Sequence, residues 1–111
     1  MEDLKSMHAV SPKGAAPLDE SQIQEYLGEV HDWKVVEVDG EKRLRKTFKF
    51  KNFRQALDFT DKVGSAAEAE DHHPAITTEW GKVTVDWWTH AVNGLHKNDF
   101  IMAAKSDELY G

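Results

Sequence analysis

No cysteine occurs among the 111 residues, and that one absence excludes disulfide frameworks, thiolate nucleophiles, zinc knuckles and iron–sulfur ligation together. No apolar run approaches the ~18 residues that a membrane-crossing helix needs, so no membrane association is expected. Basic residues are in the minority: 14 Lys plus Arg stand against 20 Asp plus Glu, a formal charge of −6. A chain of that sign repels phosphate backbones at long range, and no Lys/Arg cluster interleaved with aromatics stands out, so direct nucleic-acid binding is not expected either. Nor is a secretory leader, because Glu2 and Asp3 occupy the place of a basic start and no apolar stretch follows. The expected compartment is the cytoplasm, with the nucleus left open. What is present is 40% hydrophobic and 31% charged, the make-up of an ordinary globular chain of single-domain length.

Proline is also scarce, and two of the 3 fall at Pro12 and Pro17 among small residues. Residues 1–17 show no sustained apolar period and read as a flexible tail ahead of one domain spanning 18–111. From Leu18 the pattern changes. Ile23, Tyr26, Leu27 and Val30 recur at helical spacing, Asp19 and Gln22 form a capping box, and a first helix is predicted from about Glu20 to Val30. Asp39-Gly40 suits a two-residue hairpin turn between Trp33–Val38 and Leu44–Phe50, which places Val35 opposite Leu44 and Glu37 opposite Lys42. Asn52 and Gln55 then open a second helix with the stripe Phe53, Ala56, Leu57, Thr60, Val63 and Ala67. It should end near Glu68 to Asp71, before Pro74 forces His73 into an extended conformation.

A second hairpin follows, with Gly81-Lys82 as its predicted turn. That register sets Trp80 against Val83, Thr78 against Val85, Ile76 against Trp87 and His73 against His90. Asp99 to Leu109 reads as a third helix. The order helix, hairpin, helix, hairpin, helix predicts an α+β fold, one four-stranded antiparallel sheet with three helices packed on one face. Such a sheet has open edges that must be covered, charged or paired, so self-association as a homodimer or homotetramer is expected.

The chemistry concentrates where the second helix meets the second hairpin. Of 6 histidines, His72, His73 and His90 converge under the predicted register, with Glu68 and Asp71 nearby. Imidazole both takes and gives protons near neutrality, and protonating one of a close pair disfavours protonating the other. Such a pair suits a reaction in which one proton is delivered and another removed, of which dehydration is the simplest. Two other readings stay open at this point: a polar strand end with partly exposed histidines, or a metal site using Glu68, Glu70 or Asp71. The second would require a sharp bend to turn His72 and His73 toward one ion. Trp87 falls on the apolar face and reads as core. Trp88 shares the histidine face and either stacks on a flat heterocycle or sits in a subunit interface. His8 and His31 have no partners and read as solvated; His96 reads as part of the third helix's start.

The ordered positions Glu68, His72-His73-Pro74, Trp80, His90 and Asp99 fit without a gap the signature of the pterin-4a-carbinolamine dehydratase family, which the chain resembles from Leu18 to Leu109. Phe48-Lys49-Phe50, Thr89-His90 and Gly94-Leu95 support the resemblance outside the signature. It implies a cofactor-free lyase that removes water from 4a-hydroxytetrahydropterin to give quinonoid dihydropterin, in recycling for aromatic amino-acid hydroxylases. By position His72, His73 and His90 would be catalytic. Glu68, Asp71, Trp88 and Asp99 would bind or orient substrate, with no metal. Some animal members of that family also act as dimerisation cofactors for a transcription factor, so a protein-interaction module is the competing expectation.

Overall fold

The computed structural model describes residues 3–111; Met1 and Glu2, part of the expected tail, lie outside the described residues. The elements are α1 (Glu20–Leu27), β1 (Lys34–Val38), β2 (Glu41–Lys49), α2 (Phe53–Glu70), β3 (Ala75–Glu79), β4 (Lys82–Trp87) and α3 (Lys97–Tyr110), with 3-10 turns at Leu4–Ser6 and His90–Val92. The sheet is antiparallel in the order β1-β2-β4-β3, so the two hairpins join along β2 and β4. One face, carrying Leu44, Phe48, Val83, Val85 and Trp87, forms a single core with Ile23 of α1, Val63 of α2 and Phe100 of α3. This is the α+β arrangement that the sequence predicts.

Local chemistry accounts for most element boundaries. Asp19 Oδ1 accepts the Gln22 N–H at 2.8 Å while Gln22 Oε1 accepts the Asp19 N–H at 2.9 Å, closing the expected box. Helix α1 is shorter than predicted, because after Leu27 the amides of Glu29 and Val30 bond three residues back in tightened turns. Asp39 and Gly40 both have positive φ, 52° and 81°, and the first hairpin pairs Val35 with Leu44 and Glu37 with Lys42 as expected. Along α2, Ala56, Val63 and Ala67 are buried, but Phe53 is 43% exposed. Phe59, outside the predicted stripe, is buried instead against Phe48, Phe50 and Tyr110, with ring centroids 4.6 to 5.8 Å apart.

The second hairpin departs from expectation. Its turn is Trp80-Gly81 rather than Gly81-Lys82, so Thr78 faces Val83 and Ile76 faces Val85, a slip of two residues. Gly81 supplies the positive φ, 76°, at the second turn position, where Lys would be strained, and its carbonyl accepts the Phe50 N–H at 2.8 Å. A slip of two preserves which face each side chain occupies, so Ile76, Val83, Val85 and Trp87 still face the core. Two details change: Trp80 is exposed at the hairpin tip, and β4 stops at Trp87, so His73 and His90 are not ladder partners. Ahead of α1, Leu4 is buried and its 3-10 turn packs on α3.

Candidate active site

Each of the three histidines is placed by a different local device. Asp71 ends α2 in the left-handed conformation, φ 50°, and the His72 N–H bonds back to the Ala67 carbonyl at 3.1 Å. That reversal directs the His72 ring inward, where it stacks on Trp87 with centroids 5.8 Å apart and 10° between planes. Its Nε2 lies 2.7 Å from Asp99 Oδ1. Asp99, the third residue of α3, has no solvent exposure, and its Oδ2 accepts both the Thr89 hydroxyl at 2.8 Å and the His96 N–H at 2.9 Å. Two donors on one oxygen define an accepting carboxylate. With the carboxylate accepting, Nε2 is the His72 atom that donates to it.

His73, held extended by Pro74, is exposed, with Nε2 2.5 Å from Glu68 Oε1. His90 opens the 3-10 turn after Thr89, whose pairing with Gly94 closes the loop. The β2–β4 register sets Leu44 against Trp87; continued past the strand end, it brings Arg43 beside Trp88 and Glu41 beside His90. The contacts follow. The Arg43 guanidinium lies 3.7 Å from the Trp88 ring centroid, and His90 Nδ1 lies 3.2 Å from Glu41 Oε2.

These groups enclose a cleft of about 260 Å³ lined by Asp71, His72, His73, Trp88, Thr89 and His90, together with Pro12 and Ala91. The convergence therefore arises from a helix end and a 3-10 turn beyond the C-terminal end of the interior strand β4, not from the predicted ladder pair. Glu68 and Asp99 do not line the cleft but stand behind His73 and His72 respectively. Glu70, weighed above as a metal ligand, instead accepts the Ala9 N–H at 2.7 Å and meets His8 Nδ1 at 2.8 Å, so His8 has a partner after all. That contact with His8 holds the Glu70 carboxyl below the usual range. Glu41, Arg43 and Pro12 escaped the sequence reading. The first two depend on how two hairpins dock, which no local pattern encodes, whereas Lys13-Gly14 after Pro12, with glycine where a type II turn needs positive φ, is a turn signal present in the sequence.

Behind Trp88 the outer face of the sheet carries a buried acid. Asp86 accepts Arg45 at 2.6 and 2.8 Å and Arg43 at 3.2 Å. Burial raises its pKa, but the two guanidinium groups together outweigh burial and hold it below the ordinary value. Burial pushes His96 down, and its neutral Nδ1 accepts the Asn98 N–H at 3.0 Å as the cap of α3. A larger cavity of about 380 Å³ between Leu4 and α3 is lined by one imidazole, His31, beside the carboxylates of Asp3, Glu29, Asp107 and Glu108.

A small α+β fold that presents three carboxylate-partnered imidazoles and a tryptophan to one cleft is equipped for proton transfer to and from a flat ligand. Residues 16–109 match the family model described as pterin 4 alpha carbinolamine dehydratase, and the chain belongs to that family of hydro-lyases. A Nitrosococcus oceani protein is 54% identical, with 98% of this chain and 97% of that protein aligned; one from Chlorobium luteolum is 52% identical over 99% and 97%. Both carry the provisional name pterin-4-alpha-carbinolamine dehydratase. Among solved structures, a transcriptional coactivator/pterin dehydratase from Brucella melitensis superposes with a TM-score of 0.77 at 35% identity, covering 86% of this chain and 99% of that one. A pterin dehydratase-like protein identified as a RuBisCO assembly factor in the alpha-carboxysome shares the fold, with a TM-score of 0.61 at 23% identity over 73% and 92%. Among the described residues no helix is long and apolar enough to cross a membrane.

Proposed function

We propose that the protein dehydrates 4a-hydroxytetrahydropterin to quinonoid dihydropterin by histidine acid/base catalysis, in the recycling of tetrahydropterin. The observation that carries this reading is the meeting of His72, His73 and His90 around one cleft, within a chain of this family. In the reaction the C4a–O bond breaks, the departing oxygen gains a proton and leaves as water, and N5 loses its proton as its electron pair forms the C4a=N5 bond. His73 and His90 bracket the 4a-hydroxyl and share its protonation. His72 takes the N5 proton on Nδ1, and Asp99, bonded to Nε2, stabilises the imidazolium that results. The proton delivered and the proton removed balance, so no redox partner is consumed. Trp88, braced from behind by Arg43, offers its free face to the bicyclic ring.

The test is a dehydratase assay on the purified protein. The His90→Ala variant is expected to lose about 10²-fold or more in catalysed rate, the usual contribution of an acid/base group. An unchanged rate would remove His90 from the mechanism. A second reading, a protein-interaction module of coactivator type, is favoured by the dual name of the Brucella melitensis neighbour. Stable oligomers without any acceleration of dihydropterin formation would select it.

A further inference from the structure

We propose that the loop 11–17 forms a wall of the substrate cleft, with Pro12 touching the bound pterin. The proposal rests on the dehydratase reading of that cleft and adds a substrate-positioning segment to it. The family match begins at residue 16, so most of this loop lies outside it.

The loop is pinned at both ends. On its N-terminal side Asn98, only 2% exposed, pairs with both backbone groups of Val10, accepting its N–H at 3.0 Å and donating to its carbonyl at 2.6 Å. Without Val10 that buried amide would face desolvation unpaired, a cost that favours docking of the segment. Glu70 adds a second tether through the Ala9 N–H at 2.7 Å, and buried Leu4 a third. On the far side the Leu18 N–H bonds to the Leu95 carbonyl at 2.9 Å. Between the pins, the Ala15 N–H closes onto the Pro12 carbonyl at 2.9 Å, and Gly14 has φ +80° at the third position of that turn, as a type II turn requires.

A proline in a closed, doubly anchored turn is a stiff group, and this one is set against the cleft that holds His72, His73, Trp88 and His90. The two tethering side chains also sit one position from site residues: Glu70 precedes Asp71, and Asn98 precedes Asp99. Contacts of this kind hold substrate and transition state alike, so they act on KM more than on kcat.

Two full-length variants test the wall without altering any histidine or its partner. Pro12→Gly removes the ring, and Val10→Pro removes the N–H that Asn98 accepts. Each is expected to raise KM about tenfold with kcat held within about twofold, and Val10→Pro should also speed hydrogen exchange at the Ala9 amide. Unchanged KM in Pro12→Gly overturns the proposal. So does a fall in kcat at constant KM, or a lower Tm as the sole effect, since either would make the segment structural support. If the wild-type protein forms no dihydropterin, the functional reading fails separately. The wall is then judged by tryptophan quenching with a dihydropterin: binding weakened about tenfold by Pro12→Gly supports it, and equal binding overturns it.

Discussion

At the scale of single residues, Asp99 illustrates how one side chain joins fold and chemistry. Its Oδ2 closes the start of α3 and ties down Thr89, while Oδ1 orients His72. Replacing it with Ala strands the buried Thr89 hydroxyl and two part-buried partners, His72 and the His96 N–H, and should cost about 2–4 kcal/mol of stability, read by denaturant titration. Asp99→Asn keeps the volume but substitutes an amide that can donate toward His72 and stabilise the wrong tautomer. Its rate should fall ~10²-fold or more, with a smaller loss of stability than Ala causes. Full activity in the Asn variant would show that Asp99 does not set the His72 proton. The sequence marks Asp99 as a motif position and as a residue of the first helical turn; the structure places it in that turn with Oδ1 on His72.

At the scale of elements, the cap of α3 carries a pH dependence whose sign follows from burial. His96 has its folded pKa lowered from 6.5, so the stability its neutral form contributes is complete above that value and is lost as pH falls below it. His96→Asn retains a good capping group and removes the titration. The wild-type Tm should therefore drop more steeply than that of the variant as pH falls below 6.5, a comparison made by thermal melts.

Strand β4 gives the acid counterpart. Asp86 has its folded pKa lowered from 3.8, so its contribution is present above that value and disappears as pH falls through the lower, folded one. Asp86→Asn should cost about 1–3 kcal/mol at neutral pH and flatten the acid limb of a stability profile. Equal loss for the two proteins at low pH would contradict the assignment. The hairpin elements also show where pattern reading stops. Alternation in Ile76–Thr78 and Val83–Trp87 assigns faces correctly because faces repeat every two residues, so a register error of two leaves them unchanged while moving every cross-strand partner.

At the scale of the whole molecule, the radius of gyration is 13.4 Å, that of a single folded unit of this length. Unfolding should be one cooperative transition with a calorimetric enthalpy of about 60–80 kcal/mol near 60 °C, insensitive to reductant because no thiol exists. Strands β1 and β3 form the edges of the four-stranded sheet, and the exposed Trp80 lies at the tip beside β3. We expect homo-oligomers, detectable as a Tm that rises with protein concentration and as a sedimentation mass above 12.6 kDa. A concentration-independent Tm with a mass of one chain would refute that expectation.

Caps, turn residues and hydrophobic spacing determine the helices, the first hairpin and the α+β class on their own, because each acts over a few neighbouring positions. The family signature likewise marks His72, His73, His90, Glu68 and Asp99 in the linear order. Their geometry was decided elsewhere. The docking of β2 on β4 brings Glu41 to His90 and Arg43 to Trp88, and the start of α3 supplies Asp99 to His72 across 27 positions. The N-terminal segment lacks a periodic pattern because it crosses α3 as an irregular strap, held by Asn98 and Glu70 through its backbone. Backbone hydrogen bonding of that kind leaves almost no trace in side-chain identity, and only the packed molecule could reveal it.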